Sequence, residues 1–243
     1  MLTLQSDLHG NHLLSGLPTQ EWKAIAPDLE LVRLESSQVL CDAGARVRHI
    51  YFPITAVVSL LHTMEDGRSV EVASIGREGT TGANVLMNGD AMPSNVEVQC
   101  SGSAYRVDAA ALRQHFDRSE AMRRLIMLYA HALFTKIAQT AACNRHHSVS
   151  NQFSRWLLEA MDATGTDKLV ITQQRIADLL GVRREAVTEA AGRLQSAGIV
   201  YQTRGSIRIV DRSGLEGRAC ECYGLVKREF ARLLPAMLAE EAA

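Results

Sequence analysis

Residues 119–144, SEAMRRLIMLYAHALFTKIAQTAACN, contain neither glycine nor proline. An unbroken run of that length predicts one helix, longer than the roughly 11–12 residues of an average globular helix. Ile126, Ala130, Leu133, Ile137 and Thr140 recur at spacings of 4, 3, 4 and 3. That is a heptad seam, and its small residues permit close approach. Leu125, Leu128 and Ala132 form a second apolar stripe. A helix apolar on two faces needs two covers. The expected covers are the rest of the chain on one side and a second copy of the same helix on the other. Ile126, Ala130, Leu133, Ile137 and Thr140 are then the expected dimer interface. The alternative is a helix buried inside a single domain.

Upstream the pattern is different. Residues 11–26 carry apolar side chains at helical spacing, and Pro18 suits the first position of a helix, with Thr19 and Glu21 in the first turn. From Leu29 onward come short strand-like runs: IYF at 50–52, AVVSLL at 56–61, NVEVQ at 95–99 and SAYRV at 103–107. Asp66-Gly67 divides two of the runs and suits a tight hairpin turn. Many short strands with turn signals between them predict an antiparallel roll or barrel over residues 29–108. Asp108 then suits an N-cap, with Leu112 and Phe116 on one helical face.

Beyond the long helix, QFSRWLLEAMDA reads as a helix with Phe153, Trp156, Leu157 and Ala160 on one side. Strand-like LVIT leads into TQQRIADLLGVRREAVTEAAGRLQSAGIV, residues 172–200. Thr172 can cap a first short helix that buries Ile176, Leu179 and Leu180. Gly181 is placed for the positive φ of a helix C-terminus. A second helix from about Arg183 to Ser196 would bury Val187, Ala190, Ala191 and Leu194. Two helices joined by so short a turn describe a helix-turn-helix. Such a unit lays its second helix in the DNA major groove.

The next stretch, GIVYQTRGSIRIV, reads as strand, Arg204-Gly205 turn and strand, the wing of a winged helix. Formal charge over the whole chain is only −1, which announces no nucleic-acid partner. A local basic patch can still hide inside a neutral total. Here arginines 175, 183, 184, 193, 204, 208 and 212 outnumber Asp178, Glu185, Glu189 and Asp211. Arginine's planar fork fits phosphate oxygens and the O6/N7 edge of guanine. A surface salt bridge of Arg183 or Arg184 to Glu185 or Glu189 would contribute only ~0–1 kcal/mol. DNA contact is therefore the stronger reading. The expected DNA-facing residues are Thr172, Gln173, Arg183, Arg184, Glu185, Thr188, Glu189, Arg204 and Arg208.

With these segments in hand, the sequence resembles the Crp/Fnr superfamily of bacterial transcription regulators over nearly its whole length. LVITQQRIADLLGVRREAVTEAAGRLQSAGIV and RGSIRIVDRSGLE carry most of the likeness. Arg184-Glu185-Ala186-Val187 matches the family's Arg-Glu-x-Val core, which implies guanine contact for Arg184 and a cytosine amino group for Glu185. Glu189 stands where the family often has a second arginine, and becomes a candidate specificity residue. The resemblance implies an α+β architecture: an N-terminal antiparallel, jelly-roll-like β-roll, a long dimerisation helix and a C-terminal winged helix-turn-helix. The expected boundaries are 1–117 for the sensing roll, 118–145 for the dimer helix and 146–243 for the DNA-binding domain with a helical extension. The implied partners are double-stranded DNA, a second copy of the chain and RNA polymerase.

In the family the roll binds an effector. IGREGTTGANVLMNGDAMPSN, residues 75–95, is glycine-rich, and its N–H groups could form an anion nest. Gly76, Arg77, Glu78, Gly79, Thr80, Thr81, Gly82 and Ser94 are the expected effector contacts. The arginine-serine pair of cyclic-nucleotide members is missing; the region reads Met92-Pro93-Ser94-Asn95. Without that counter-charge for the phosphate, cyclic AMP is not the expected ligand, and no other cofactor is implied.

The five cysteines, 41, 100, 143, 220 and 222, are odd in number and irregular in spacing. The first residues lack a basic segment followed by an apolar run, and no apolar stretch approaches the ~20 residues of a membrane span. A reducing, cytoplasmic setting without membrane contact is expected. None of the cysteines precedes Cys41, so the N-terminal iron-sulfur cluster of some family members is not expected. Cys220-Glu-Cys222 alone cannot complete a tetrahedral zinc site. Cys143, His146 and His147 could add ligands only if folding brings them together, so no metal site is expected. A redox- or metal-responsive regulator using these residues is the alternative. A cupin-like enzyme is the rival from another class, but His49 and His62 are isolated. There is no Gly-x-Ser-x-Gly elbow and no phosphate loop, so no catalysis is expected.

Overall fold

The computed structural model describes residues 10–87, 89 and 91–234. The outer ends of the two expected terminal domains, residues 1–9 and 235–243, lie outside the described residues.

Two short helices, α1 (His12–Ser15) and α2 (Thr19–Ile25), precede the strands. The strands are β1 (Glu30–Leu34), β2 (Val39–Cys41), β3 (His49–Pro53), β4 (Val57–Thr63), β5 (Ser69–Ile75), β6 (Asn95–Cys100) and β7 (Gly102–Asp108). A one-turn helix, α3 (Ala83–Leu86), interrupts them after β5. The strands form two antiparallel sheets of order β1-β7-β3 and β2-β6-β4-β5. The β4–β5 hairpin closes at Asp66-Gly67, where Gly67 takes φ +83°. The expected roll over 29–108 is this pair of sheets, facing one another over a core that includes Ile50, Phe52, Val58, Val98 and Val107.

Strand β4 departs from simple alternation, with Val57 to Leu61 buried in succession. Both faces of the strand are covered, because successive side chains of a pleated strand point to opposite sides. Leu60 enters the core of the roll, and Leu61 enters the second core, belonging to the C-terminal half.

After β7 come α4 (Ala109–Arg118), α5 (Glu120–His146) and α6 (Val149–Thr164). The Asp108 carboxylate accepts from the N–H groups of Ala110 and Ala111 at 2.8 and 3.1 Å and so caps α4. Ser119 caps α5 through Met122 N–H at 3.1 Å. The C-terminal half continues with β8 (Lys168–Leu169), α7 (Gln173–Leu180), α8 (Arg184–Ser196), β9 (Val200–Thr203), β10 (Ser206–Ile209), α9 (Arg212–Glu216) and α10 (Cys222–Leu233). Of the LVIT stretch only Leu169 is strand; with the preceding Lys168 it pairs with β10.

The long helix turns a different face outward from the one its heptad reading assigned. Its buried row is Met122, Ile126, Tyr129, Ala132, Lys136, Thr140 and Cys143. Ile126 and Thr140 are 3% and 7% exposed and pack against their own chain, so they are closed to a second copy. Ala130, Leu133 and Ile137 are half-buried at the edge of that row. The open apolar stripe lies one residue further round: Met127, Phe134, Ala138 and Ala141, with Phe134 71% exposed.

The other correction concerns the second cover of this helix. Helix α10 folds back across α5, and Phe230 meets Tyr129 edge to face at 6.4 Å. Val226, Phe230 and Leu233 join the core of the roll. Full burial of such side chains contributes up to about 1.5–3 kcal/mol each. The last described helix is thus part of the first core.

Candidate nucleic-acid interface and sensor loop

Helices α7 and α8 form the expected helix-turn-helix. The Thr172 hydroxyl accepts from Arg175 N–H at 3.1 Å and caps α7. Gly181 ends that helix at φ +65°. Helix α8 buries Val187, Ala190, Ala191 and Leu194 and leaves Arg184, Glu185, Thr188 and Glu189 in solvent. Gly205, at φ +80°, makes the β9–β10 turn. A groove of about 430 Å³ runs between the start of α8 and this wing; Thr172, Gln173, Arg184 and Arg204 line it. Gln173 is half-buried and ties three elements together. It donates to Gln202 Oε1 and accepts from the Thr188 hydroxyl, each at 2.7 Å.

The arginines separate into two groups. Arg175 pairs with Glu97, Arg193 with Glu189, Arg208 with Asp167 at 3.2 Å, and Arg212 with Asp162 and Glu216. Arg183, Arg184 and Arg204 are exposed and make no ion pair among the described residues. Arg184 and Arg204 line the groove where α8 meets the wing, and Arg183 directly precedes Arg184. Arg183 sits at the N-cap position of α8 and its side chain makes no capping bond. No side chain caps the start of that helix, which lies beside positive charge, an arrangement suited to phosphate.

The glycine-rich loop is packed from both sides. A Cβ on Gly76 would lie 2.5 Å from Ala163 of α6, and one on Gly79 would lie 2.5 Å from the Tyr129 ring. Both glycines are needed for that close approach. Three of the N–H groups expected to cradle an anion have internal partners. Gly76 N–H donates to Glu78 Oε1 at 3.1 Å, Gly79 N–H to Gly76 O at 3.1 Å and Thr81 N–H to Tyr51 O at 2.9 Å. Both threonine hydroxyls bond Tyr51 backbone groups, Thr80 as donor and Thr81 as acceptor. Gly82, at φ +68°, precedes α3. Ser94 is buried and bonded to His62 Nε2 at 3.1 Å. Of the eight expected effector contacts, Arg77 and Glu78 line a cavity. It holds about 130 Å³ and also borders Lys136, Glu159, Asp162 and Tyr223.

That cavity adjoins polar groups that the sequence did not single out. Lys136, buried on α5, donates to Ser74 O at 2.7 Å and to the Ser74 hydroxyl at 3.0 Å. It also lies 3.8 Å from Glu78 and 3.9 Å from Glu159 of α6. One ammonium thereby joins the roll, the long helix and the first helix of the C-terminal half. Tyr129 donates to Thr80 O at 2.9 Å. Burial raises its phenol above the usual value, so it stays a neutral donor. Lys136 escaped notice because a lone lysine in an apolar run reads as a solvated face.

Folding also assembles groups that the sequence left apart. Cys143, His147, Cys220 and Cys222 come together at the turn between α5 and α6, while His146 remains exposed outside the group. A hydrogen bond from Cys143 is the main cause holding the Cys220 thiol below its ordinary value. The expectation of no metal site rested on these residues being separate, and they are not.

No helix among the described residues is long and apolar enough to cross a membrane. A family model described as a cyclic nucleotide-binding domain matches residues 31–119, and one described as a Crp-like helix-turn-helix domain matches residues 152–218. No curated protein sequence matches the chain. Solved structures of similar fold include FixK2 from Bradyrhizobium japonicum, with TM-score 0.67 and 16% identity over 79% of this chain and 98% of that one. TTHB099, a transcriptional regulator of the CRP family from Thermus thermophilus, gives 0.65 and 16% over 77% and 96%. The c-di-GMP responsive global regulator CLP of Xanthomonas campestris gives 0.63 and 15% over 79% and 99%. At such identities these likenesses establish the fold. With the two family models matched in order along a β-roll, long helix and winged helix-turn-helix, the chain belongs to the Crp/Fnr superfamily as a transcription regulator with a helix-turn-helix DNA-binding domain.

Proposed function

We propose that the protein regulates transcription as a homodimer that reads duplex DNA with Arg183, Arg184 and Arg204. The observation that carries this reading is that Arg184 and Arg204 line the groove between α8 and the wing, with Arg183 beside them at the start of α8, and that none of the three makes an ion pair among the described residues. Two copies joined through α5 would present two α8 helices to major grooves about 34–36 Å apart. The stripe Met127, Phe134, Ala138 and Ala141 supports that pairing, because 127, 134 and 141 are one heptad apart and face solvent. Arg184 and Glu185 read bases, Arg183 and Arg204 hold phosphates, and Thr188 is oriented by Gln173. Glu189 and Arg208 already hold partners and contribute less. RNA polymerase is the protein partner of such a regulator, and its work lies in the cytoplasm with the DNA.

Cyclic AMP is not the ligand on this reading. Positions 92–95 supply no cation, and the N–H groups of Gly76, Gly79 and Thr81 are internally bonded. A signal would act instead through the Arg77–Glu78 cavity or the turn after α5, shifting α6 relative to the roll.

Selection from a random duplex pool, followed by binding across a salt series, tests the proposal. A palindromic consensus, with affinity that falls steeply as salt rises, is expected. A monomer by light scattering that binds no duplex at low salt would overturn it. Unchanged operator affinity with saturating cyclic AMP supports the ligand assignment, and a large increase refutes it.

A further inference from the structure

Cys143 lies in the last turn of α5, His147 caps that helix, and Cys220 and Cys222 flank Glu221 at the start of α10. Cys143 and Cys220 are 77 residues apart in the chain. Yet the ligating atoms of all four residues lie within 4.8 Å of one another. Cys143 Sγ is 3.5 Å from Cys220 Sγ, and Cys222 Sγ is 3.4 Å from His147 Nδ1. A tetrahedral ion holding thiolates at about 2.3 Å would set sulfur–sulfur edges of about 3.8 Å. The Cys143–Cys220 and Cys222–His147 separations are within a few tenths of an ångström of such edges, and no pair of ligating atoms is more than 4.8 Å apart.

Ordinary packing accounts poorly for the cluster. A buried cysteine usually behaves as a small hydrophobe inside an aliphatic core. Cys143, Cys220 and Cys222 form a buried group of their own, apart from both larger cores. All five cysteines are free, and the 3.5 Å contact is far from the ~2.05 Å of a disulfide. The surroundings suit sulfur anions. Gln139 Nε2 donates to Cys222 Sγ at 3.0 Å. His147 turns its other nitrogen, Nε2, to Glu221 Oε1 at 3.3 Å. A carboxylate on the far side of a ligating imidazole is a recurrent support of metal sites. Three thiolates around a divalent ion leave one excess negative charge. Arg155 is buried nearby and interacts electrostatically with all three thiols. Its Nε has no hydrogen-bond partner among the described residues.

We propose that Cys143, His147, Cys220 and Cys222 bind a thiophilic divalent cation of the zinc class in a closed tetrahedral site. It fastens the α5–α6 turn to the root of α10. Four protein ligands leave no open position, so the site is structural. Sulfur-rich coordination disfavours magnesium and calcium. Binding displaces the three thiol protons to solvent, and no electrons move.

Full-length protein, expressed with zinc and purified reduced, is assayed for bound metal by mass spectrometry and then titrated as the apo form with cobalt(II). One ion per chain is expected, with the visible bands of tetrahedral cobalt and thiolate charge transfer in the near ultraviolet. The Cys220→Ser/Cys222→Ser double variant should lose the ion, and the Cys41→Ser/Cys100→Ser variant should keep it. Glu221→Ala should weaken the affinity roughly 10- to 100-fold against a chromophoric chelator. Should the double variant fail to fold, thiol alkylation of the wild type decides. Chelation should expose Cys143, Cys220 and Cys222 and leave Cys41 and Cys100 unchanged. Absence of a cobalt spectrum, an ion that survives the double substitution, or a Cys143–Cys220 disulfide in anaerobically purified protein would each overturn the proposal.

Discussion

Arg175 of α7 reaches across to Glu97 of β6 and pairs with it at 2.5 Å, so the first helix of the helix-turn-helix is fastened to the roll. Gly181 supports the same contact: a Cβ there would lie 3.2 Å from Val70 Cγ2 of β5. Both partners of the pair are largely shielded, with 26% and 17% of their side chains exposed. A double-mutant cycle of Arg175→Ala and Glu97→Ala should therefore give a coupling of about 1 kcal/mol or more, at or above the upper end for exposed pairs. Hydrogen exchange in α7 should quicken in either variant. Zero coupling would make the contact incidental to domain placement.

Arg184→Ala should cost about 1–3 kcal/mol of DNA affinity, concentrated at one base position. Arg204→Ala should weaken binding evenly across sequences and reduce the salt slope by about one ion. Arg208→Ala should do less, since Asp167 already holds that side chain at 3.2 Å. Binding to a panel of single-base operator variants separates the three cases. An Arg208 effect as large as that of Arg184 would refute the division between paired and unpaired arginines.

The pairing face makes two substitutions diverge. Phe134→Glu should give a folded monomer with weakened operator binding, because the side chain is 71% exposed in one copy. Ile126→Glu should instead destabilise the chain by several kcal/mol, since it places an unpaired charge at a position 3% exposed. Sedimentation and thermal unfolding report on the two. A Phe134→Glu protein that remains dimeric would move the interface elsewhere.

Glu71 is buried on β5 with its carboxyl bonded to the Ser59 hydroxyl. Burial, the largest influence, raises its pKa above the ordinary 4.5; Lys136 and Arg155 act in the opposite sense. The unfolded chain releases this proton at lower pH than the folded one. Stability contributed by the neutral form is thus full below about 4.5 and declines as pH rises through the folded value. Glu71→Gln removes the ionisable group and keeps a polar partner for Ser59. Its stability relative to wild type should grow as pH climbs above about 4.5 in denaturant titrations. A constant difference would mean that Glu71 titrates alike in both states.

The winged helix-turn-helix was legible because its signals are local. A capping threonine, a glycine at the turn and four inward residues on α8 sit within one short stretch, and each is where its chemistry required. The hairpin at Asp66-Gly67 was readable for the same reason. On α5 the expected row is covered by its own chain at Ile126 and Thr140, and the neighbouring row is open. Rows 126-133-140 and 127-134-141 are both apolar enough, and only the shape of the roll decides which is covered. The return of α10 and the meeting of Cys143 with Cys220 depend on distant chain segments, which no periodicity announces. The loop at 76–82 looked open because glycines were read as room for a ligand. Two of them make room for Ala163 and Tyr129 instead.

The path of α10 has a consequence for biogenesis. A chain leaves the ribosome N-terminus first, and leading domains ordinarily mature while the rest is still being made. Here Val226, Phe230 and Leu233 cover a face of α5. That face of the long helix stays open until residues 222–234 have emerged. Severing the chain near Ser148 would yield two fragments that each retain a greasy scar rather than two autonomous units.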